Sequence, residues 1–209
     1  MRIALPKGRF RSLSEAAIVE LGGEDVPERG LTSKLGEGAT AHLLKARDIP
    51  AVVIEGLFDL GVATGDWCLE RQVAMPGEEL EFLRTGIWDV RFRISFVSAP
   101  NAPWPPPNGA TVATRYPSLC VHALREVGAE SCRVAELSGS VAAMVPEIAF
   151  YGFDCVETGR TLMQNSLVEV CVVHDELGVC VVSRGGSSRA WNEADLASVA
   201  ETIARANKR

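Results

Sequence analysis

The chain has 209 residues, and its 21 Lys and Arg stand against 27 Asp and Glu, a formal net charge of −6. An acidic chain of this kind is a poor general binder of nucleic acid, whose phosphates demand a cationic surface. With 47% hydrophobic and 23% charged residues, it is ordinary globular material rather than a disordered segment, long enough for one large domain or two small ones.

The order of elements predicts an α/β fold with largely parallel sheets. Arg2–Leu5 is a short apolar strand. Ser12-Leu13-Ser14-Glu15 fits a capping box, and Leu13, Ala17, Ile18 and Leu21 follow at helical spacing until Gly22-Gly23 stops the helix. Thr40–Leu44 is a strand. Asp48-Ile49-Pro50 then opens a short helix, with Asp as cap and Pro in the first turn. Phe58–Ala63 and Arg91–Ser98 are strands. The five prolines of Ala99–Gly109 exclude helix and central strand, so this segment is a crossover. Beyond it come strand 110–114, helix 116–127 with Pro117 in its first turn, strand 131–137, a short helix 141–145 and strand 148–156. Two further strands, 167–174 and 179–183, precede a polar turn. A helix capped by Asn192 ends the order, with Leu196, Val199, Ala200, Ile203 and Ala204 as its stripe.

Cys68, Cys120, Cys132, Cys155, Cys171 and Cys180 form no C-x-x-C, and several sit in apolar runs, as free thiols of a reducing compartment do. His42, His122 and His174 lack ligand spacing, so no built-in metal site is expected. No apolar run approaches the roughly 18 residues of a membrane helix. Charges at Arg2 and Lys7 interrupt the place where a signal peptide needs its apolar stretch. The expectation is a cytoplasmic protein without membrane or nucleic-acid partners.

Four segments have the chemistry of anion recognition. The strongest is Asp154-Cys155-Val156-Glu157-Thr158-Gly159-Arg160-Thr161-Leu162, an apolar strand ending in two acids, then small, hydroxyl and basic residues, then a helix. Backbone amides, Thr hydroxyls and Arg160 suit a phosphate, and Asp154 and Glu157 suit sugar hydroxyls. Lys7-Gly8-Arg9 follows the first strand and suits a polyphosphate. Ser138-Gly139-Ser140 is a second small polar strand-to-helix turn, and Lys45 and Arg47 precede the Asp48 cap. Gly36-Glu37-Gly38-Ala39-Thr40-Ala41 fits G-x-G-x-x-A, but a strand follows it where a dinucleotide site needs a helix.

Together and in this order the segments resemble the catalytic part of the ATP phosphoribosyltransferase family, over about residues 1–184. The resemblance rests on Leu5-Pro6-Lys7-Gly8-Arg9, Asp48-Ile49-Pro50, Asp59-Leu60-Gly61, Ala113-Thr114-Arg115-Tyr116-Pro117, Gly139-Ser140-Val141 and the loop Asp154–Leu162. It implies a bilobal fold like the type II periplasmic binding proteins, with mixed, mostly parallel sheets flanked by helices and the site in the cleft. Residues 1–92 plus 171–209 would form the first lobe. Residues 93–170 would form the second and carry the sugar-phosphate loop. The implied substrates are ATP and phosphoribosyl pyrophosphate with its Mg²⁺, and the implied product is phosphoribosyl-ATP, the first step of histidine biosynthesis. Asp154 and Glu157 would act on the ribose, Thr158, Gly159, Arg160 and Thr161 on the 5′-phosphate, and Ser138, Gly139 and Ser140 on the pyrophosphate. Lys7, Gly8, Arg9, Lys45 and Arg47 would meet the ATP polyphosphate.

The chain departs from the family pattern at Ala142, where Glu is usual, at Ala149-Phe150 in place of Ala-Asp, and at Ala63-Thr64-Gly65. A diverged relative using another ring-nitrogen or amine acceptor therefore stays open, as does a non-catalytic binding module of the same fold. The length matches the short form of the family. That form implies a homodimer or higher oligomer and a separate regulatory subunit resembling histidyl-tRNA synthetase.

Overall fold

The structure, a computed structural model, describes residues 1–24, 26, 29–77, 79–185 and 191–206. Its elements begin with β1 (Arg2–Pro6), α1 (Arg11–Glu20), β2 (Thr32–Lys34), β3 (Thr40–Leu44), α2 (Ile49–Ile54), β4 (Leu60–Thr64) and α3 (Gly65–Ala74). There follow β5 (Leu80–Ser98), β6 (Thr111–Thr114), α4 (Pro117–Glu126), β7 (Arg133–Glu136), β8 (Tyr151–Val156), α5 (Arg160–Gln164), β9 (Val168–Arg184) and α6 (Glu193–Arg205). They form two compact units, Met1–Val90 with Gly178–Arg209, and Arg91–Leu177.

In the first unit β1 runs parallel to both β3 and β4, with Pro6 opposite Leu44 and Ala4 opposite Gly61. β2 joins β3 antiparallel, and the second half of β9 joins β4 antiparallel. β1 and β4 are buried on both faces, which is why they read as continuous apolar runs. Alternation divides their side chains between two cores. Ile3, Leu5, Leu60, Val62, Val179 and Val181 face α1 and α6, meeting Ala17, Ile18, Leu196, Ala200 and Ile203. Ala4, Ala63, Cys180 and Val182 face the other way, onto Ile49 and Val53 of α2 and Cys68 of α3.

In the second unit β8 lies between β5, antiparallel with Phe96 opposite Phe153, and β6, parallel with Ala113 opposite Gly152. β6 pairs parallel with β7. One core gathers Val97, Ala113, Val141, Val145, Val156, Leu162 and Leu167. Phe96 packs at a tilt against Phe153, with ring centroids 4.7 Å apart, and against Trp104 at 5.1 Å. Trp104 anchors the Pro-rich crossover, which is irregular as its prolines require.

Several expectations are corrected. The capping box does not form. A 3₁₀ turn at Gly8–Phe10 runs straight into α1, so Ser12 already lies inside the first turn. Ser14 donates instead to the Pro6 carbonyl at 2.7 Å, and Glu15 pairs with Arg11 at 2.7 Å. Asp48 makes no side-chain cap to α2 and meets Arg47 at 3.3 Å. Residues 141–148 are consecutive turns rather than a helix, because Pro146 lacks the N–H that a helix would use and disfavours helical backbone at Val145. Helix α3 and strand β2 were not anticipated. β5 is far longer than expected, since Trp88 (φ 63°) and Asp89 (φ 45°) adopt left-handed backbone within it and break the alternation. The two late strands are one, β9, which continues through Glu176 at φ 52°. The polar turn before α6 lies mostly outside the described residues.

The C-terminal helix docks as its stripe predicts. Asn192 caps it, its side-chain oxygen accepting from the Asp195 amide at 2.9 Å. The buried Trp88 indole donates to the Ile203 carbonyl at 3.1 Å. Ile203 is fully buried in the first core. Ile203→Ala is therefore expected to lower the unfolding free energy by about 2–5 kcal/mol through lost burial and a residual cavity. Asn192→Ala removes one cap bond and is expected to cost about 1 kcal/mol. Urea titrations of the two variants check both the sizes and their order.

Candidate functional site

In the second unit the register does the assembling. Thr114 stands opposite Glu136 on one side and Phe153 on the other, with all three strands parallel. The segments leaving the carboxyl ends of β6, β7 and β8 therefore emerge side by side. They are Arg115, Leu137–Ser140 and Glu157–Thr161, with Asp154 inside β8, one residue past the level of Thr114. Parallel α/β sheets present ligand-binding groups along this edge, where loops and helix starts meet.

Asp154 is fixed before the loop begins. Its Oδ1 accepts from Arg115 Nε at 3.0 Å, from Arg115 Nη2 at 2.7 Å and from the Cys155 amide at 2.8 Å. Burial pulls the Arg115 guanidinium down, but Tyr116 and Asp154 more than offset this and hold its pKa above the ordinary value. Arg115 thus stays charged and keeps the carboxylate of Asp154 oriented. This pairing was missed by sequence reasoning, although the A-T-R-Y-P string contains Arg115; the partners are 39 residues apart.

Beyond Val156 the loop turns outward. Glu157, Thr158, Arg160 and Thr161 are exposed. Gly159 takes φ 72°, a left-handed conformation that a side chain would strain. The Arg160 amide turns back on the Thr158 hydroxyl at 3.4 Å. Helix α5 is only five residues long, so its dipole adds less than the sequence suggests; the loop's resources are its amides, hydroxyls and guanidinium. Ser138, Gly139 and Ser140 are exposed at the neighbouring strand end.

In the first unit the parallel pair β1 and β3 ends level, and the Lys7 amide donates to the Leu44 carbonyl at 2.7 Å. Lys7-Gly8-Arg9 and Lys45-Ala46-Arg47 consequently leave adjacent strand ends. Gly8 turns the chain at φ 76° with open space around it, so conformation and not crowding selects glycine. The Arg9 guanidinium lies over the Phe10 ring, 4.6 Å from its centroid. Lys45 and Arg47 are exposed.

The departures from the family pattern fall in different places. Ala142 is buried in the second unit's apolar core. Phe150 is half-exposed but precedes β8, at the amino end of the strand opposite the loop. Among the described residues no group of three His, Cys, Asp or Glu side chains is placed to hold a metal ion, and no helix is long and apolar enough to cross a membrane.

A sequence model of the ATP phosphoribosyltransferase family matches residues 45–205. The ATP phosphoribosyltransferase of Pyrococcus furiosus is 34% identical over 192 residues, 88% of each chain. That of Thermus thermophilus is 34% identical over 190 residues, 88% of this chain and 86% of its own. The ATP phosphoribosyl transferase (HisG:HisZ) complex from Thermotoga maritima contains a chain of similar fold, with a TM-score of 0.81 at 21% identity, covering 100% of this chain and 98% of that one. The periplasmic aliphatic sulphonate binding protein SsuA from Escherichia coli shares the fold more distantly, with a TM-score of 0.56 at 16% identity over 99% of this chain and 72% of that one. The α/β architecture is therefore that of the type II binding-protein fold.

The Arg115–Asp154 pair is partly buried, so breaking it leaves a poorly solvated charge. Arg115→Ala is expected to lower the unfolding free energy by about 1–3 kcal/mol. Asp154→Ala added to it is expected to cost much less than Asp154→Ala alone. Urea denaturation of the two single variants and the double variant measures this coupling, and additive losses would show that the pair is not coupled.

Proposed function

The chain belongs to the ATP phosphoribosyltransferase family, and on that premise we propose how its residues serve the reaction. N1 of the ATP adenine attacks C1′ of phosphoribosyl pyrophosphate. The N1–C1′ bond forms, the C1′–oxygen bond to pyrophosphate breaks, and phosphoribosyl-ATP and pyrophosphate leave, the first step of histidine biosynthesis. The attacking nitrogen already carries a lone pair, so neither a strong base nor a covalent nucleophile is required. What is required is the alignment of two polyanions and stabilisation of an oxocarbenium-like centre and its leaving group.

Thr158, Gly159, Arg160 and Thr161 cradle the 5′-phosphate in this reading. Asp154 and Glu157 accept from the ribose hydroxyls and place negative charge near the developing cation. Ser138, Gly139 and Ser140 meet the pyrophosphate, whose Mg²⁺ arrives with it, because a hard cation of octahedral preference takes phosphate oxygens and water readily. Lys7, Gly8, Arg9, Lys45 and Arg47 receive the ATP polyphosphate. The observation that carries the reading is the common carboxyl edge of β6, β7 and β8, which collects two acids, two guanidinium groups and a small-residue turn within one unit.

We further read the chain as the catalytic subunit of a cytoplasmic short-form enzyme, a homodimer or larger, working with a separate regulatory subunit. The support is its structural likeness to a chain of the Thermotoga maritima HisG:HisZ complex.

Pyrophosphate release from phosphoribosyl pyrophosphate is expected only when ATP is added. Release driven by a different amine or ring nitrogen, and not by ATP, would instead establish a diverged acceptor. Arg160→Ala and Thr161→Ala are each expected to weaken binding of phosphoribosyl pyrophosphate, by about tenfold or more for Arg160, since a charge-assisted contact is worth about 1.5–3 kcal/mol. Calorimetric titration measures this, and unchanged affinity in both variants would overturn the loop assignment.

A further inference from the structure

Arg93, near the middle of β5, stands opposite Val156, the last residue of β8 before the loop. Each of its three guanidinium nitrogens donates a hydrogen bond. Nε donates to Glu169 Oε2 at 2.7 Å, and Nη2 donates to Glu169 Oε1. The third arm, Nη1, reaches the backbone carbonyl of Glu157 at 3.4 Å. Glu169 is held in turn by the Ser95 hydroxyl, which donates to Oε2 at 2.6 Å. Glu169 is the second residue of β9, just beyond the loop and α5. One planar cation on β5, the antiparallel neighbour of β8, therefore ties the strand after the loop to the first carbonyl within it.

The far end of the loop is tied separately. The Asn165 side chain donates to the Thr161 carbonyl at 2.8 Å, and the Leu167 amide donates to the Leu162 carbonyl at 2.9 Å. Between these ties lie Thr158, Gly159 and Arg160, whose backbone direction follows from the peptide plane set at Glu157. Rotating that plane would turn the following amide away. A fork of donors fixed in one plane suits this work, because two arms lock the side chain and leave the third aimed. Hydrogen bonding to Glu169 raises the Arg93 pKa, and hydrogen bonding from Arg93 lowers that of Glu169, so both stay ionised at neutral pH. A pair with side chains 30% and 21% exposed contributes little to stability by itself. Its third arm is the part that reaches the loop itself.

We infer that Arg93, locked by Glu169 and Ser95, is a positioning residue that presets the loop 157–161 for the 5′-phosphate of the sugar substrate. The inference rests on the reading of that loop as the phosphate cradle. It assigns Arg93 no contact with substrate.

Arg93→Lys separates the two roles. A lysine ammonium can keep the ion pair with Glu169 but cannot also hold the Glu157 carbonyl in a fixed plane. In the full chain, the dissociation constant and KM for phosphoribosyl pyrophosphate are expected to rise about tenfold, the weight of one hydrogen bond to a charged donor. KM for ATP, and kcat at saturating phosphoribosyl pyrophosphate, are expected to stay within about twofold, the pattern of lost ground-state binding. Amide hydrogen exchange at 158–161 is expected to quicken while α4 and β6 keep their protection. Glu169→Gln is expected to move the same quantities the same way by less. Unchanged affinity for phosphoribosyl pyrophosphate would overturn the inference. So would a parallel fall in thermal midpoint, kcat and affinity for both substrates, which would mark a purely structural pair. The wild-type chain separates the underlying reading from this one. Binding of phosphoribosyl pyrophosphate without ATP-driven pyrophosphate release refutes the assigned reaction but leaves the Arg93 comparison decisive. No binding at all refutes the cradle and the inference with it.

Discussion

The second unit is organised by three parallel strands in matched register, whose carboxyl ends lie along one edge. The matched register of Thr114 with Glu136 and Phe153 sends Arg115, Ser138–Ser140 and Glu157–Thr161 out from neighbouring positions. A slip of one residue would reverse every side chain on the slipped strand, moving Phe153 or Val112 out of the core. Burial on both faces makes such a slip costly. The geometry of the exposed loop is thus secured by apolar contacts that never meet a ligand.

The electrostatics follow the same plan. The chain is acidic overall, but several of its cations are placed beside the strand ends or the loop of the second unit. Arg115 holds Asp154 and Arg93 holds Glu169, so two guanidinium groups serve to orient carboxylates rather than to face solvent. Other cations, including Lys45, Arg47 and Arg160, remain exposed. Net charge consequently says little about affinity for phosphates, and local placement decides it. The first unit uses the corresponding device, with β1 and β3 ending together so that Lys7–Arg9 and Lys45–Arg47 leave from adjacent positions.

Much of the fold was legible because its signals are local. Two-sided burial writes itself as an unbroken apolar strand at Ile3–Leu5, and amphipathic burial writes itself as the stripe of α6 with Asn192 at its start. The parts that are not legible have one tertiary and two local causes. Trp88 and Asp89 take left-handed backbone inside β5 because the indole is buried against α6, a contact across 115 residues. Ser12 and Glu15 spell a capping box, yet the preceding 3₁₀ turn moves the helix start so that neither can cap it. Pro146 disperses the helix that the apolar residues 141–145 suggest.

Residue types and their order were enough to specify the alternating α/β pattern, the acidic character and the motifs near the strand ends, including the string Asp154–Leu162. Those are properties of residue type and short-range spacing. Which carboxylates the cations orient is settled by the folded chain alone. Arg115 finds Asp154 and Arg93 finds Glu169 across 39 and 76 residues, because strand pairing sets their partners. Spacing along the chain carries no record of that pairing, since the register is fixed by how whole strands bury their faces together.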